Sequence, residues 1–380
     1  MDDETILEAF DPEIAKFVEV LLKNGNVGVF GGSIRVLEPK TGQYIISQKG
    51  CCDRFRVQVP FAGSTLTWQV IFNSVFPENP PDFMFGPQER TFIPELENVK
   101  SLVNWDASNR DCLLVVIKEL IHLYKEFQEN LLRNYSRMQF EYTSLLELDT
   151  GKFNDVELLL ARKGVRDTSV NFLIKLPVDF SEIPEFLTKD NPGEDLAVLL
   201  VSFQNVESNK ALPQLYLSPR VEHALGGSAS LRIPAFPTGG CLMDYVPNVC
   251  ELLENMVDQL VKGYQKRSEY IAAFLSHFGR SVLEYDVESF SKISIMFEMQ
   301  DFYFTMHITL PAYFPRDQPE FMFQSIYHTG THSKPYTAIV KDYPYSPRWS
   351  GNEMAERARI YLNEYIPEFK RASVSQIRVR

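Results

Sequence analysis

Two proline-rich stretches constrain the fold of this chain more than any other feature. The first runs from Phe76 to Phe85 as FPENPPDFMF, and the second runs from Phe314 to Phe323 as FPRDQPEFMF. Proline fixes φ and lacks a backbone N–H, so a strand that enters either stretch has to end and turn there. Phenylalanine, both outer prolines, the acid and Phe-Met-Phe recur at the same spacing. This recurrence predicts a duplicated α+β unit.

The residues before each stretch alternate between apolar and polar side chains, which is typical of a half-buried strand. A tryptophan, Trp105 or Trp349, follows each stretch and precedes a segment with helical periodicity. The apolar positions predicted to share one face are Leu66, Trp68, Val70 and Phe72 in the first copy, and Phe302, Phe304, Met306, Ile308 and Leu310 in the second.

Length and charge narrow the class of protein. A chain of 380 residues with 44% apolar side chains predicts two or three domains with real cores. The net charge of −12 argues against a nucleic-acid binder, since phosphate contacts need basic surface. Five cysteines without CxxC spacing, an acidic N-terminus and no long apolar run predict a soluble intracellular protein with reduced thiols.

Helical and strand periodicity predict three regions with limits at 1–147, 148–246 and 247–380. The first region is predicted to begin with a helix over 1–23, followed by strands near 27–37, 43–48, 53–60 and 65–76. An irregular segment over 86–104 then leads to a helix over 111–147. That helix is longer than is usual in globular proteins, so a break within it is possible. The middle has strands around Phe172–Leu176, 196–203 and 214–217, and is interpreted as an eroded third copy. The last has helices over 248–278 and 352–370, with Pro367 a possible disturbance, and strands near 281–286, 290–299 and 301–311.

The order of elements around the proline stretches resembles the ubiquitin-conjugating enzyme fold. In that family a Tyr-Pro-x-x-Pro-Pro element closes the third strand; here Phe76 replaces the tyrosine, and Pro77, Pro80 and Pro81 match. In the second copy Phe314, Pro315 and Pro319 match, but Gln318 replaces one proline. The resemblance implies an α+β fold with antiparallel meander sheets, flanking helices and long connecting helices.

The family's catalytic element is absent from both copies. The family places His-Pro-Asn and the catalytic cysteine before the tryptophan, yet neither cysteine nor histidine occurs between Phe85 and Trp105. The second copy has no cysteine there either, and neither His328 nor His332 is followed by Pro-Asn. Ubiquitin transfer needs a thiolate to carry the thioester. The resemblance therefore implies tandem ubiquitin-conjugating-enzyme-variant (UEV) domains, the inactive relatives.

Over nearly its full length, the chain also resembles the family of brain and reproductive organ-expressed proteins. This likeness implies a non-catalytic subunit of two deubiquitinase assemblies, the cytoplasmic BRISC complex and the nuclear A complex of the breast-cancer-type-1 protein. It implies a bridge between a metalloprotease–scaffold pair and an adaptor at the C-terminal UEV, recruitment of polyubiquitin, and links to DNA repair, the cell cycle and apoptosis. The runs that carry it are CDRF from Cys52, LPVDFS from Leu176, LSPR from Leu217, HALGGS from His223, YIAAFLSHFG from Tyr270 and YPYSPRW from Tyr343.

Cys241 is the one candidate for hidden chemistry. Its run Gly-Cys-Leu-Met-Asp is similar to the sequence around the catalytic cysteine of conjugating enzymes, but no His-Pro-Asn precedes it. A relic or structural thiol is the preferred interpretation. An active conjugating enzyme using Cys241 stays open as the alternative, as does a free-standing ubiquitin or peptide reader.

Candidate partner contacts come from two repeated Ser-Pro-Arg turns and from the aromatic last region. Arg220 and Arg348 either bond loop carbonyls or meet a partner carboxylate. Tyr313 and Trp349 are candidates for the rim of a groove that takes a proline-containing peptide. No His-x-His pair occurs, so the sequence predicts neither a zinc site nor a cofactor. We also expect no membrane or nucleic-acid partner.

Overall fold

The computed structural model describes residues 3–42, 51–89, 91–162, 168–185, 194–227, 231–311, 313–329, 334–340 and 342–375. The strand predicted at 43–48, His332 and the basic residues at 378–380 lie outside these ranges. The chain is α+β, with antiparallel sheets and helices in both of its compact units. The first unit comprises Met1–Asp179, Gly193–Glu222 and Gly226–Leu253; the second comprises Phe180–Pro192, His223–Leu225 and Glu254–Arg380. No described helix is long and apolar enough to cross a membrane.

Two helices replace the single helix predicted over 1–23. Helix α1 is Asp3–Leu7, and α2 is Pro12–Asn24. Pro12 disfavours helical backbone at the preceding residue, and Asp11 is extended with ψ of 138°. The Asp11 carboxylate then caps α2 by accepting a hydrogen bond from the Glu13 N–H at 2.9 Å. The break therefore comes from the proline.

A four-stranded antiparallel meander forms the first sheet. After the short pair β1 (Asn26–Val27) and β2 (Gly32–Ser33), the sheet consists of β3 (Arg35–Lys40), β4 (Arg54–Phe61), β5 (Ser64–Ile71) and β6 (Asp82–Met84), in that order. The prediction that one face of this strand is buried is confirmed, because Leu66, Trp68, Val70 and Phe72 are all buried. They pack in one core with the apolar face of α2.

The segment predicted as irregular contains short helices, and the long helix after it is broken. Helix α3 is Lys100–Val103, preceded by 3-10 turns at Pro87–Glu89 and Leu96–Asn98. Helix α4 is Cys112–Leu132 and α5 is Ser136–Glu147. Past the break, the Arg137 guanidinium donates a 2.7 Å hydrogen bond to the Ser208 carbonyl, and Tyr142 stacks on Phe172. The break thus lets α5 pack on a second sheet.

The second sheet is also an antiparallel meander, with consecutive strands β7 (Val156–Arg162), β8 (Thr168–Leu176), β9 (Ala197–Phe203) and β10 (Ala211–Leu217). Strands β8 to β10 agree with the predicted strands, whereas β7 was not predicted. Helix α6 (Pro219–Ala224) follows β10, and helix α7 (Leu242–Phe278) begins six residues earlier than expected. Leu159, Leu173 and Leu200 pack into the core of the first sheet.

A buried carboxylate joins the two sheets of the first unit. Glu157 on β7 is only 5% exposed and accepts hydrogen bonds from the Val29 N–H at 2.8 Å and the Ala62 N–H at 2.7 Å. Ala62 and Gly63 form the two-residue β4–β5 turn with φ of 46° and 71°, a left-handed pair. Burial raises the pKa of Glu157, and the two amide donors oppose that shift.

The second unit contains a five-stranded antiparallel sheet with consecutive strands. They are β11 (Val282–Tyr285), β12 (Lys292–Met299), β13 (Phe302–Thr309), β14 (Glu320–Thr329) and β15 (Pro335–Val340), followed by α8 (Gly351–Ser375). The predicted apolar face from Phe302 to Leu310 is buried. A Cβ on Gly351 would lie 2.9 Å from the Glu269 carbonyl carbon, so only glycine fits there. Pro367 does not end α8.

We expect Glu157→Gln to lower the free energy of unfolding by about 1–3 kcal/mol, because the amide nitrogen of glutamine faces a backbone donor instead of accepting from it. Urea denaturation followed by circular dichroism measures this. The matched control is Glu126→Gln on the exposed face of α4, which should stay within about 0.5 kcal/mol of the wild type. Equal stability of the two variants would contradict the role assigned to Glu157.

Candidate partner-binding sites

The proline stretch of the first unit is held by a tryptophan. The Trp105 indole N–H donates a 3.0 Å hydrogen bond to the Glu78 carbonyl, and its ring packs against Phe17 and Phe72. Phe76, in the position of the family's tyrosine, is 53% exposed. The turn is therefore anchored through its backbone, which leaves the Phe76 ring free to meet solvent or a partner.

The segment that would hold a catalytic cysteine is filled by apolar packing in the first unit. Phe92 is buried, with its ring 4.9 Å from that of Phe85, 5.1 Å from Tyr124 and 5.5 Å from Phe127. Nearby Glu89 is also buried, and burial raises the pKa of its carboxyl group. These rings therefore form an apolar cluster within the segment where a catalytic cysteine would lie.

The second proline stretch is anchored differently. Phe314 is only 3% exposed and packs on Tyr270 at 5.3 Å, and its peptide bond to Pro315 is cis. The Tyr345 hydroxyl donates to the Pro315 carbonyl, and the Tyr343 hydroxyl donates to the Pro319 carbonyl. Burial raises the pKa of Tyr345 to about 12, so this hydroxyl stays a donor at neutral pH. Two tyrosines thus tie the loop at 342–350 to the stretch at 313–319.

Three candidate residues lie on these two joined loops. Tyr313 is 65% exposed, and the Arg316 guanidinium lies 4.4 Å above its ring. Arg348 is exposed, and Trp349 is half-buried. We call the set Tyr313, Arg316, Arg348 and Trp349 the tyrosine-tied face. Aromatic rings and arginines of this kind are the residues enriched where proteins bind one another.

Arg357 was missed by the sequence reasoning. It lies 4.2 Å above the Trp349 ring and bonds the Glu353 carboxylate through Nε and Nη2, at 3.1 and 3.0 Å. The pair Glu353 and Arg357 at helical i,i+4 spacing could have been noticed, but its contact with Trp349 depends on tertiary structure. Arg357 holds the indole in place, so the exposed edge of Trp349 is preorganised.

Arg220 belongs to the first unit. Its Nε lies 3.3 Å from the Asp195 carboxylate, and about a quarter of each side chain is exposed. This arrangement is what a structural arginine makes. The partner-contact assignment of Arg220 stays a prediction.

Cys241 sits at the start of α7, where its carbonyl accepts from the Asp244 and Tyr245 N–H groups. A helix N-terminus ordinarily lowers the pKa of a thiol. Here burial raises it, and so do the neighbouring carboxylates of Glu141 and Asp244. Glu141 is itself buried and accepts a 2.7 Å hydrogen bond from the Leu242 N–H. The positive end of the helix dipole, which would stabilise a thiolate, is thus bonded to a glutamate carboxylate instead.

The other histidines and cysteines that the structure describes form no metal centre. In the described ranges, no three His, Cys, Asp or Glu side chains come close enough to hold an ion. His328 contacts the Ser373 hydroxyl at 3.0 Å and stacks on Phe302, which ties α8 to β14. Burial raises the pKa of Cys112 to about 11, so this thiol remains protonated within α4.

We expect iodoacetamide to alkylate Cys241 more slowly than N-acetylcysteine at pH 7.5, because the raised pKa leaves less thiolate. Its rate should rise by about tenfold per pH unit from pH 7.5 to 8.5, since thiolate is the nucleophile. Peptide mass spectrometry of timed samples measures the rate. Glu141→Gln, which keeps an acceptor for Leu242 but removes the charge, should accelerate it. A rate that is already constant below pH 8 would show a lowered pKa and contradict this assignment.

Comparison with known proteins adds full-length relatives. Residues 8–329 match the family described as brain and reproductive organ-expressed protein. The chain is 49% identical over 377 residues to a protein of Branchiostoma floridae, with 98% of each chain covered. It is 48% identical over 376 residues to a protein of Danio rerio, with 97% of each covered. Both relatives are named BRISC and BRCA1-A complex member 2.

Proposed function

The chain belongs to the brain and reproductive organ-expressed protein family, and from that premise we propose that it is a non-catalytic subunit of a BRISC-type deubiquitinase assembly. The observation that carries the proposal is the near-complete coverage by relatives named as members of two complexes. The same reasoning extends to a nuclear A-type complex, so the proposed compartments are cytoplasm and nucleus, with links to DNA repair, the cell cycle and apoptosis.

The proposed architecture is a series of UEV-type domains. Each of the three larger sheets is an antiparallel meander with its strands in chain order, and a helix follows each one. Regions 1–147 and 247–380 carry the two clear proline stretches, and 148–246 is the proposed eroded copy. Consecutive meanders with flanking helices provide large surfaces without a catalytic centre, as a scaffold requires.

The positions and the pKa shifts of the cysteine thiols support a non-catalytic role. Acyl transfer needs an accessible thiolate. The segment between Phe85 and Trp105 contains no cysteine, and Phe92 packs within it. Cys241 has a raised pKa and two carboxylates beside it. These features disfavour the alternative of an active conjugating enzyme, and the metal chemistry of such an assembly would belong to its metalloprotease subunit.

The tyrosine-tied face is the proposed site for the adaptor subunit. It offers an exposed ring at Tyr313, a held indole at Trp349 and the guanidinium of Arg348, which suits an extended proline-containing segment with an acidic group. The metalloprotease–scaffold pair would then bind other surfaces, which makes the chain a bridge. Helping to recruit ubiquitin chains is part of the same proposal.

We expect Tyr313→Ala combined with Arg348→Glu to remove the adaptor from affinity-purified complexes and to retain the metalloprotease pair. The exposed face loses its ring and reverses one charge, while the anchoring tyrosines stay intact. Quantitative mass spectrometry of the purified complexes measures both partners. Arg280→Glu, an exposed charge reversal in the same unit, is the matched control and should retain every partner.

Two outcomes would overturn the proposal. If the wild-type chain purifies without a stoichiometric metalloprotease, a free-standing ubiquitin or peptide reader becomes the better function. If activating enzyme, ATP and ubiquitin yield a reducible adduct that Cys241→Ser abolishes, the chain is an active conjugating enzyme.

A further inference from the structure

A cleft in the first unit is lined by three lysines, none of which forms a direct ion pair with a described carboxylate. It has a volume of about 420 Å³ and lies between α4, the turn after β1, and strands β7 and β8. Lys118 and Lys125 come from α4, and Lys175 comes from β8. Within the described part of the chain, none of their ammonium groups lies within ion-pair distance of a carboxylate, although Lys125 interacts electrostatically with Glu157 over a longer distance.

Several lysines elsewhere in the same chain are paired directly with acids. Lys23 pairs with Glu19 at 2.6 Å, and Lys262 pairs with Asp258 at 2.6 Å. A chain with 50 acidic and 38 basic residues offers many acids to pair with. Three lysines against two acids, Asp155 and Glu157, give this cleft an excess of positive charge on an acidic protein, which attracts anions.

The two acids of the cleft offset this potential only in part. Glu157 lies at its base, but both of its oxygens accept backbone N–H groups. Asp155 is exposed at the edge. The floor is apolar, with Phe61 and Val27 buried and Ile121 half-buried. His122 lies between the two α4 lysines, 3.5 Å from Glu126.

We propose that this cleft binds a small ligand that carries two or more phosphate groups. The volume suits a small molecule, and lysine is a point-charge ligand for phosphate. Lys118 and Lys125 are two helical turns apart, about 10 Å along the axis, which favours a ligand with more than one anionic group. The apolar floor accommodates a non-polar portion of the ligand. The inference uses only residues of the first unit and does not depend on the proposed complex.

Isothermal titration of the full chain with tripolyphosphate, in about 150 mM salt, tests the proposal. We expect saturable binding with a Kd below about 1 mM, weakened at least tenfold by Lys118→Gln combined with Lys125→Gln. Lys23→Gln combined with Lys262→Gln changes the net charge equally and should bind as the wild type does. Lys175→Gln should weaken binding independently of α4. Thermal melts check that each variant is folded.

Three results would overturn the phosphate site. One is the absence of binding to the wild type at millimolar tripolyphosphate. Another is an equal loss of affinity in the control variant with Lys23→Gln and Lys262→Gln, since that would mean that only the overall charge of the protein attracts tripolyphosphate. The third is hexaglutamate binding as tightly as tripolyphosphate with the same dependence on Lys118 and Lys125, which would assign the cleft to an acidic peptide instead.

Discussion

The first compact unit depends on one buried carboxylate. The Glu157 side chain on β7 accepts hydrogen bonds from the amides of two turns, at Val29 between β1 and β2 and at Ala62 between β4 and β5. Removing an ionised carboxylate from water is costly, and short hydrogen bonds to otherwise unpaired donors offset that cost. The left-handed Ala62 in the β4–β5 turn is stabilised by the same contact. The second sheet is therefore not an appendage but part of the first core.

The two proline stretches show how one sequence pattern serves two surfaces. In the first unit a tryptophan indole anchors the turn, and the phenylalanine before the proline faces solvent. In the second unit two tyrosine hydroxyls anchor the stretch, and the corresponding phenylalanine is core. Because different partners bond the carbonyls, different rings are left exposed. The duplicated pattern thus yields two chemically distinct faces, and the one in the second unit is the better candidate for a peptide.

Local periodicity predicted much of the architecture. The alternation from Phe302 to Leu310 and from Leu66 to Phe72 was sufficient to predict the buried faces, because a strand has a period of two. Helical periodicity alone does not decide the break after α4. Periodicity also misses β7, because its apolar run does not alternate and so does not distinguish a buried strand from a buried helix segment. Pro367 is tolerated in α8 because both Pro367 and Asn363, one turn earlier, face solvent. Ile366 and Phe369 hold the helix to the core.

Sequence alone determined the alternating strands, the proline stops and the missing cysteine before each tryptophan, because these are properties of neighbouring residues. Tertiary structure alone decided which distant groups meet: Glu141 with the helix that begins beside Cys241, Tyr345 with Pro315, and Arg357 with Trp349. Such contacts close long loops, and their free energy depends on burial and geometry that no local pattern contains. The chemistry of Cys241 and the shape of the tyrosine-tied face follow from those contacts.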